Sequence, residues 1–244
     1  MDGAVARVVL DRPEVRNAQT PAMWRALAEF GASLPDDVRV VVVSGDGPSF
    51  SAGIDLQLVT GGDEALVALG TRPAAEIDDT ISGYQAGFSW LRRPEFVSVA
   101  AVHGHAVGAG FQLALACDLR VVTPDARFCM REPALGLVPD LTGTQPLVDL
   151  VGYSRALEIC VTSRWVRAEE AAQLGLANIV VPADELAVAV EDLTAALLSP
   201  PVGAVRETKA LLLGAARRPY DGQLRAERDA QARRLVELTG GSSG

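Results

Sequence analysis

Histidine, cysteine and positive charge are all scarce in this chain. The two histidines, His103 and His105, flank Gly104 with no ligand partner nearby in sequence, so they read as packing or surface residues and no metal site is expected. Cys117, Cys129 and Cys160 are too few and too irregularly spaced for a disulfide framework or a zinc knuckle, which suggests a reducing, cytoplasmic setting. Lys and Arg number 22 against 31 Asp and Glu, a net charge of -9, so the overall field argues against nucleic-acid binding. A polyanionic small ligand would need a local basic patch. No apolar run is long and unbroken enough to span a bilayer. The N-terminus begins directly with a strand-like pattern rather than a signal segment.

What is present is 244 residues, 49% hydrophobic, enough for one substantial core with a small helical appendage. Apolar, β-branched runs at 5–10, 38–44, 96–102 and 119–123 read as strands, the later ones buried on both faces. Helical stretches at 22–34, 81–92 and from Gly108 to Cys117 alternate with them, with Thr20-Pro21 as N-cap and first helical residue. This alternation predicts an α/β architecture over residues 1–182. From Pro182 the pattern is helix only, at 183–199, 202–216 and 223–238, so residues 183–239 form a C-terminal helical region. Residues 240–244 read as a disordered tail, and 56–80, with Gly61-Gly62, Gly70 and Pro73, as a lid. Asp118 and Arg120 are candidates for a structural ion pair.

Two small-residue turns carry the chemistry. A strand feeding through Gly104 and Gly108 into a helix gathers backbone N–H groups and a positive dipole end, a site for developing negative charge. Phe50-Ser51-Ala52-Gly53-Ile54-Asp55 follows the second strand and lets a backbone N–H approach a ligand closely. On local sequence alone, Gln112 reads equally as a satisfied buried amide, Glu132 as a loop glutamate, and Asp140 as the cap of a helix beginning near Thr142 or Thr144.

Phe50 to Leu56, Gly108-Ala109-Gly110 through Cys117-Asp118, Glu132 with Leu135-Gly136-Leu137-Val138-Pro139, and Gly143-Thr144-Gln145 resemble the enoyl-CoA hydratase/isomerase (crotonase) superfamily in order and spacing. The resemblance runs from Arg12-Pro13-Glu14 and Arg16-Asn17-Ala18 to Gly175-Leu176-Ala177. It implies a spiral of ββα units with a C-terminal helical region used in trimerisation, as a homotrimer or dimer of trimers. It also implies an acyl-CoA thioester bound with its carbonyl between two backbone N–H groups, which map to Ala52 and Ala109. Arg16, Ala18, Ala52, Gly53, Ile54, Asp55 and Gly108 map to substrate contacts, and Arg12 and Arg16 are candidates for CoA phosphates. Coenzyme A would enter as part of the substrate, with no separate cofactor.

Hydratases of the superfamily use two glutamates, and here Gln112 stands in place of one while Glu132 retains the other. An amide can orient water but cannot take or release a proton at neutral pH. The resemblance therefore implies an isomerase that moves a proton from 3-enoyl to 2-enoyl thioester with Glu132 as base. Asp140 maps to the aspartate that is the second proton-transfer group in dienoyl-CoA isomerases. A weak hydratase with Gln112 positioning water, and a non-catalytic acyl-CoA binder, are the alternatives.

Overall fold

The computed structural model describes residues 3–57 and 66–240. In chain order the principal elements of its first half are β1 (Val5–Leu10), α1 (Pro21–Ala32), β2 (Val40–Gly45), α2 (Ala74–Ser89), β3 (Val97–Val102), β4 (His105–Val107) and α3 (Ala109–Ala116). The second half adds β5 (Leu119–Val122), β6 (Arg127–Cys129), α4 (Thr144–Val151), α5 (Tyr153–Thr162), β7 (Val166–Arg167), α6 (Ala168–Gln173) and β8 (Ile179–Val180), then α7 (Leu186–Leu198), α8 (Val202–Ala215) and α9 (Tyr220–Leu238).

The valine-rich segments form a parallel sheet in the order β1-β2-β3-β5-β8, with Val40 opposite both Val5 and Val97. Strand periodicity sorts its two faces. Val41, Val43, Ala100 and Val102 join Trp24, Phe111, Leu113 and Leu115 in the main core. Val40, Val42, Val99 and Val121 turn the other way, onto Val190 of α7. The first helix of the C-terminal region thus covers a face of the sheet that would otherwise be wet.

Each passage through that sheet is followed by a short excursion into a second layer. After β1, Gln19 bridges Ile54; after β2, Ser51 bridges Ala106 of β4; and β4 pairs in parallel with β6. Successive turns of chain therefore stack one beside the next, in both layers. Strands of two or three residues are too short to show period-2 alternation, which is why β4, β6 and β7 have no sequence signature.

α1 begins as predicted, with Thr20 Oγ1 accepting from Met23 N–H at 3.3 Å and Pro21 at the first position. It packs against α2 through Trp24, whose ring lies 4.9 Å from Tyr84 and 6.2 Å from Phe88. The extent of α2 corrects part of the expected lid over 56–80. Residues 74–80 belong to α2, 66–69 form a single helical turn, and 58–65 lie outside the described residues. The predicted tail, apart from Gly240, also lies outside them.

Asp118 and Arg120 do not pair through their charged groups. The Arg120 guanidinium is spent on main-chain carbonyls, at 2.5 Å to Leu176, 2.8 Å to Cys117 and 3.2 Å to Ala114. Asp118 instead accepts from Ser98 N–H and from Nζ of Lys209, the sole lysine of the chain, at 2.7 and 2.6 Å. Lys209 also donates to the Phe96 carbonyl at 2.7 Å, so this pair fastens α8 to the sheet.

Candidate active site

The turn after β2 is shaped by a buried polar bracket. Asn17, at φ 56° and fully buried, donates from Nδ2 to the carbonyls of Asp46 and Ser49, both at 2.8 Å, while its Oδ1 accepts from Arg12 N–H at 2.8 Å. Ser51 Oγ donates to the Asn17 carbonyl at 2.8 Å and accepts from Gln19 Nε2 and Gly53 N–H at 3.1 and 3.2 Å. Ser51 also pairs with β4, through Ser51 N–H to His105 carbonyl at 2.8 Å and Val107 N–H to Ser51 carbonyl at 3.0 Å. The chain then turns at Gly53, whose φ of 89° favours glycine and where a Cβ would lie 2.5 Å from the Val107 carbonyl oxygen.

This hydrogen bonding corrects the expectation for Ala52. Its N–H donates to the Arg16 carbonyl at 2.8 Å and is not available to a ligand. Gly53 N–H is held by Ser51, and Asp55 N–H donates to the Gln19 carbonyl at 2.8 Å. Ile54 N–H, between them, has no acceptor among the described residues.

The second turn is at Gly108, with φ 49° and ψ -117°, whose own N–H donates to the Cys129 carbonyl at 2.8 Å. Ala109 opens α3, so its N–H has no intrahelical acceptor. A Cβ on Gly53 would lie 3.7 Å from that nitrogen, which places the two turns side by side. Two uncommitted N–H groups at one place are suited to an oxygen that becomes negative.

Glu132 comes to the same place from a single 3₁₀ turn at Glu132–Leu135. A Cβ on Gly108 would meet its Oε1 at 3.1 Å and Oε2 at 3.5 Å. Oε1 accepts from Gln112 Nε2 at 2.7 Å, and Oε2 is buried with no partner. Gln112 is fully buried, and its Oε1 accepts from Leu141 N–H at 2.8 Å and Gly143 N–H at 3.2 Å. Burial pushes the Glu132 carboxyl above its ordinary range, and the charge of Asp140 adds to the rise, opposed by the hydrogen bond from Gln112. Burial raises the Asp140 carboxyl as well.

Asp140 does not cap a helix. α4 starts at Thr144 with Gly143 as its N-cap and no side-chain cap, while the Asp140 carbonyl is held by Gln85 Nε2 at 2.7 Å. Its carboxyl is left to influence Glu132.

The other expected contacts are dispersed. Arg12 donates to the Asp55 carboxylate at 3.1 Å and to the buried Ala18 carbonyl at 2.7 Å, so Arg12 and Asp55 brace the turn. Arg16 is exposed and left-handed, at φ 53°. His105 faces Ser49 Oγ and Trp165, and His103 the Gly47 carbonyl; neither reaches Glu132. A cavity of about 1000 Å³ lies elsewhere, beside α8, and its polar wall includes the mutually committed Asp118 and Lys209. Asn17, Gln19 and Thr142 were not singled out as site residues from the sequence. Their only sequence signal is polar side chains beside turns, which local reading assigns to solvent.

Three comparisons with known proteins point to one family. Residues 1–238 match the family model described as enoyl-CoA hydratase/isomerase. The chain is 39% identical over 188 residues to the mitochondrial Delta(3,5)-Delta(2,4)-dienoyl-CoA isomerase of Rattus norvegicus, covering 73% of this chain and 56% of that relative. It is 35% identical over 184 residues to the 2,3-dehydroadipyl-CoA hydratase of Escherichia coli, covering 74% and 67%. The chain thus matches little more than half the length of the isomerase. Among solved structures, a candidate enoyl-CoA hydratase of Thermobifida fusca in complex with CoA is 54% identical with a TM-score of 0.93, covering 99% of this chain and 93% of that one. The same protein in complex with acetoacetyl-CoA is 53% identical with a TM-score of 0.92, covering 97% and 93%.

Proposed function

The chain belongs to the enoyl-CoA hydratase/isomerase family, and we propose that within it the protein moves a double bond by proton transfer, converting 3-enoyl-CoA to 2-enoyl-CoA. The observation that carries this reading is Glu132 Oε2, a buried carboxylate oxygen without a partner, beside the uncommitted N–H groups of Ile54 and Ala109.

The thioester carbonyl sits between those two donors. Glu132 Oε2 takes a proton from C2, the C–H electron pair moves into the C1–C2 bond, and the negative charge settles on the thioester oxygen as a dienolate. Collapse of that charge forms the C2–C3 double bond as a proton arrives at C4. In this reading Asp140 is the second proton-transfer group and relays a proton to C4, its raised affinity for a proton suiting that exchange. Loss of one oxyanion donor typically costs ~10²–10³ in rate. Hydration by a pair of glutamates would need a titrating group at position 112, and the Gln112 amide supplies none. Coenzyme A takes part as the handle of the substrate, in keeping with the CoA-bound neighbours.

The test is to offer purified protein 3-enoyl-CoA and 2-enoyl-CoA of several chain lengths in deuterated water. Isomerisation with exchange at C2, faster than hydration by at least ~10², is the expected result. Hydration as the faster reaction, or turnover of neither substrate, overturns the reading.

A further inference from the structure

We infer that Gln112 is the positioning residue that dedicates one oxygen of Glu132 to proton transfer, through an amide whose orientation is set by a left-handed Thr142. The inference rests on the reading of Glu132 as the base and adds which oxygen works and why.

Thr142 has φ 70°, a conformation that a β-branched residue rarely adopts. Its effect is to bring the N–H groups on either side, Leu141 at 2.8 Å and Gly143 at 3.2 Å, onto the single atom Gln112 Oε1. The loop is fitted closely to that amide, since a Cβ on Gly143 would lie 2.6 Å from Gln112 Cγ. With two donors on its oxygen, the amide has one orientation, and Nε2 must face Glu132 Oε1 at 2.7 Å. A flipped amide would set N–H against N–H and carbonyl oxygen against carboxylate. Glu132 Oε1 is therefore a standing acceptor, and the proton from C2 goes to Oε2, which has no partner.

The same geometry states what a carboxylate at position 112 would do. Gln112→Glu keeps an acceptor for Leu141 and Gly143 but replaces the donor facing Glu132 with a second carboxyl oxygen. The two backbone N–H groups would hold the charge of the introduced carboxylate, so the shared proton would reside on the base. The other titratable groups that feel Glu132 are Asp140 before α4, Cys129 on β6 and Cys160 on α5, with Arg131 beside Cys129. None of these is changed by the substitution.

The experiment compares wild type, Gln112→Glu, Gln112→Met and Glu132→Gln for C2 exchange and for kcat and KM of isomerisation, across pH. For Gln112→Glu we expect the acid limb to move up by at least about one pH unit, which is about tenfold less exchange at pH values below the wild-type limb and a smaller loss above it. For Gln112→Met we expect kcat to fall by ~10-fold or more with KM little changed, since geometry at the base is lost and binding is not. If Glu132→Gln removes exchange while Gln112→Glu keeps the wild-type acid limb, the positioning inference fails and the base survives. If Glu132→Gln retains exchange, the reading of the base fails first. Should Gln112→Met not fold, Gln112→Glu, which keeps both loop hydrogen bonds, decides alone.

Discussion

Two partly buried carboxylates, Asp118 and Glu132, show how the same chemical group serves opposite ends. Asp118 accepts on Oδ2 from Ser98 N–H, Ser98 Oγ and Lys209 Nζ, all within 2.9 Å, which holds α8 against the sheet. Glu132 has one partner on Oε1 and none on Oε2. A buried carboxylate left half satisfied costs stability, and such cost persists where the group has other work. The contrast lies between a carboxylate tied to a cation through Oδ2 and one with a buried oxygen, Oε2, that has no partner.

The contrast is broken most severely at Glu132. Glu132→Gln should lower isomerisation and C2 exchange by ~10²–10⁴. Folding raises the affinity of this carboxyl for its proton, so its charged form detracts from stability, increasingly as pH rises through the folded value. The amide variant should therefore melt higher than wild type, by up to about 4 °C, with a larger gain at pH 7 than at pH 4. Calorimetry at both values checks this, and a lower Tm at pH 7 would show that the charge is structural after all.

At Asp118 the signs reverse. Asp118→Ala strands the Lys209 ammonium and should cost ~3–5 kcal/mol in denaturant unfolding, with kcat per folded molecule unchanged. A paired Asp118→Asn, Lys209→Met variant should lose less than the sum of its single changes. Additive losses would mean that the two side chains do not act as a pair.

Asn17→Ala removes the bracket under the 50–54 turn and leaves Arg12 N–H and two carbonyls to find new partners. We expect a loss of about 1–3 kcal/mol together with reduced kcat, because Ile54 N–H moves with the turn. Stability lost at full kcat would separate the bracket from the oxyanion donor.

The smallest effect concerns pH at Asp140. Exchange at C2 requires ionised Glu132, whose raised affinity for protons places the acid limb above the ordinary glutamate range. Asp140→Asn removes the lesser of the two raising influences, so the limb should fall by less than about one pH unit. Isomerisation should slow while exchange persists, since delivery at C4 is impaired and abstraction at C2 is not. Equal loss of both would assign Asp140 to the abstraction step.

Much of the fold was legible because its signals are local. Four valine-rich runs announced β1, β2, β3 and β5, and Thr20-Pro21 announced α1, within two residues of the observed bounds. The short strands β4, β6 and β7 left no trace because they are defined by partners rather than by pattern. Residues 74–80 looked like a lid because the first turns of α2 are mostly exposed and begin without a side-chain cap, while its contacts to Trp24 come later, at Tyr84 and Phe88.

By itself the sequence determined which groups could carry charge and where the chain could turn. Glu132, Gln112, Asp140 and the glycines at 53 and 108 are facts of composition, and backbone sterics at glycine are local. Only the tertiary structure decided how these groups are spent. Arg16 takes the Ala52 N–H and leaves that of Ile54, α4 begins without using Asp140, and Lys209 reaches Asp118 across 91 positions. Which hydrogen-bonding groups remain unpaired depends on contacts between distant segments, and in this protein those unpaired groups define the proposed site.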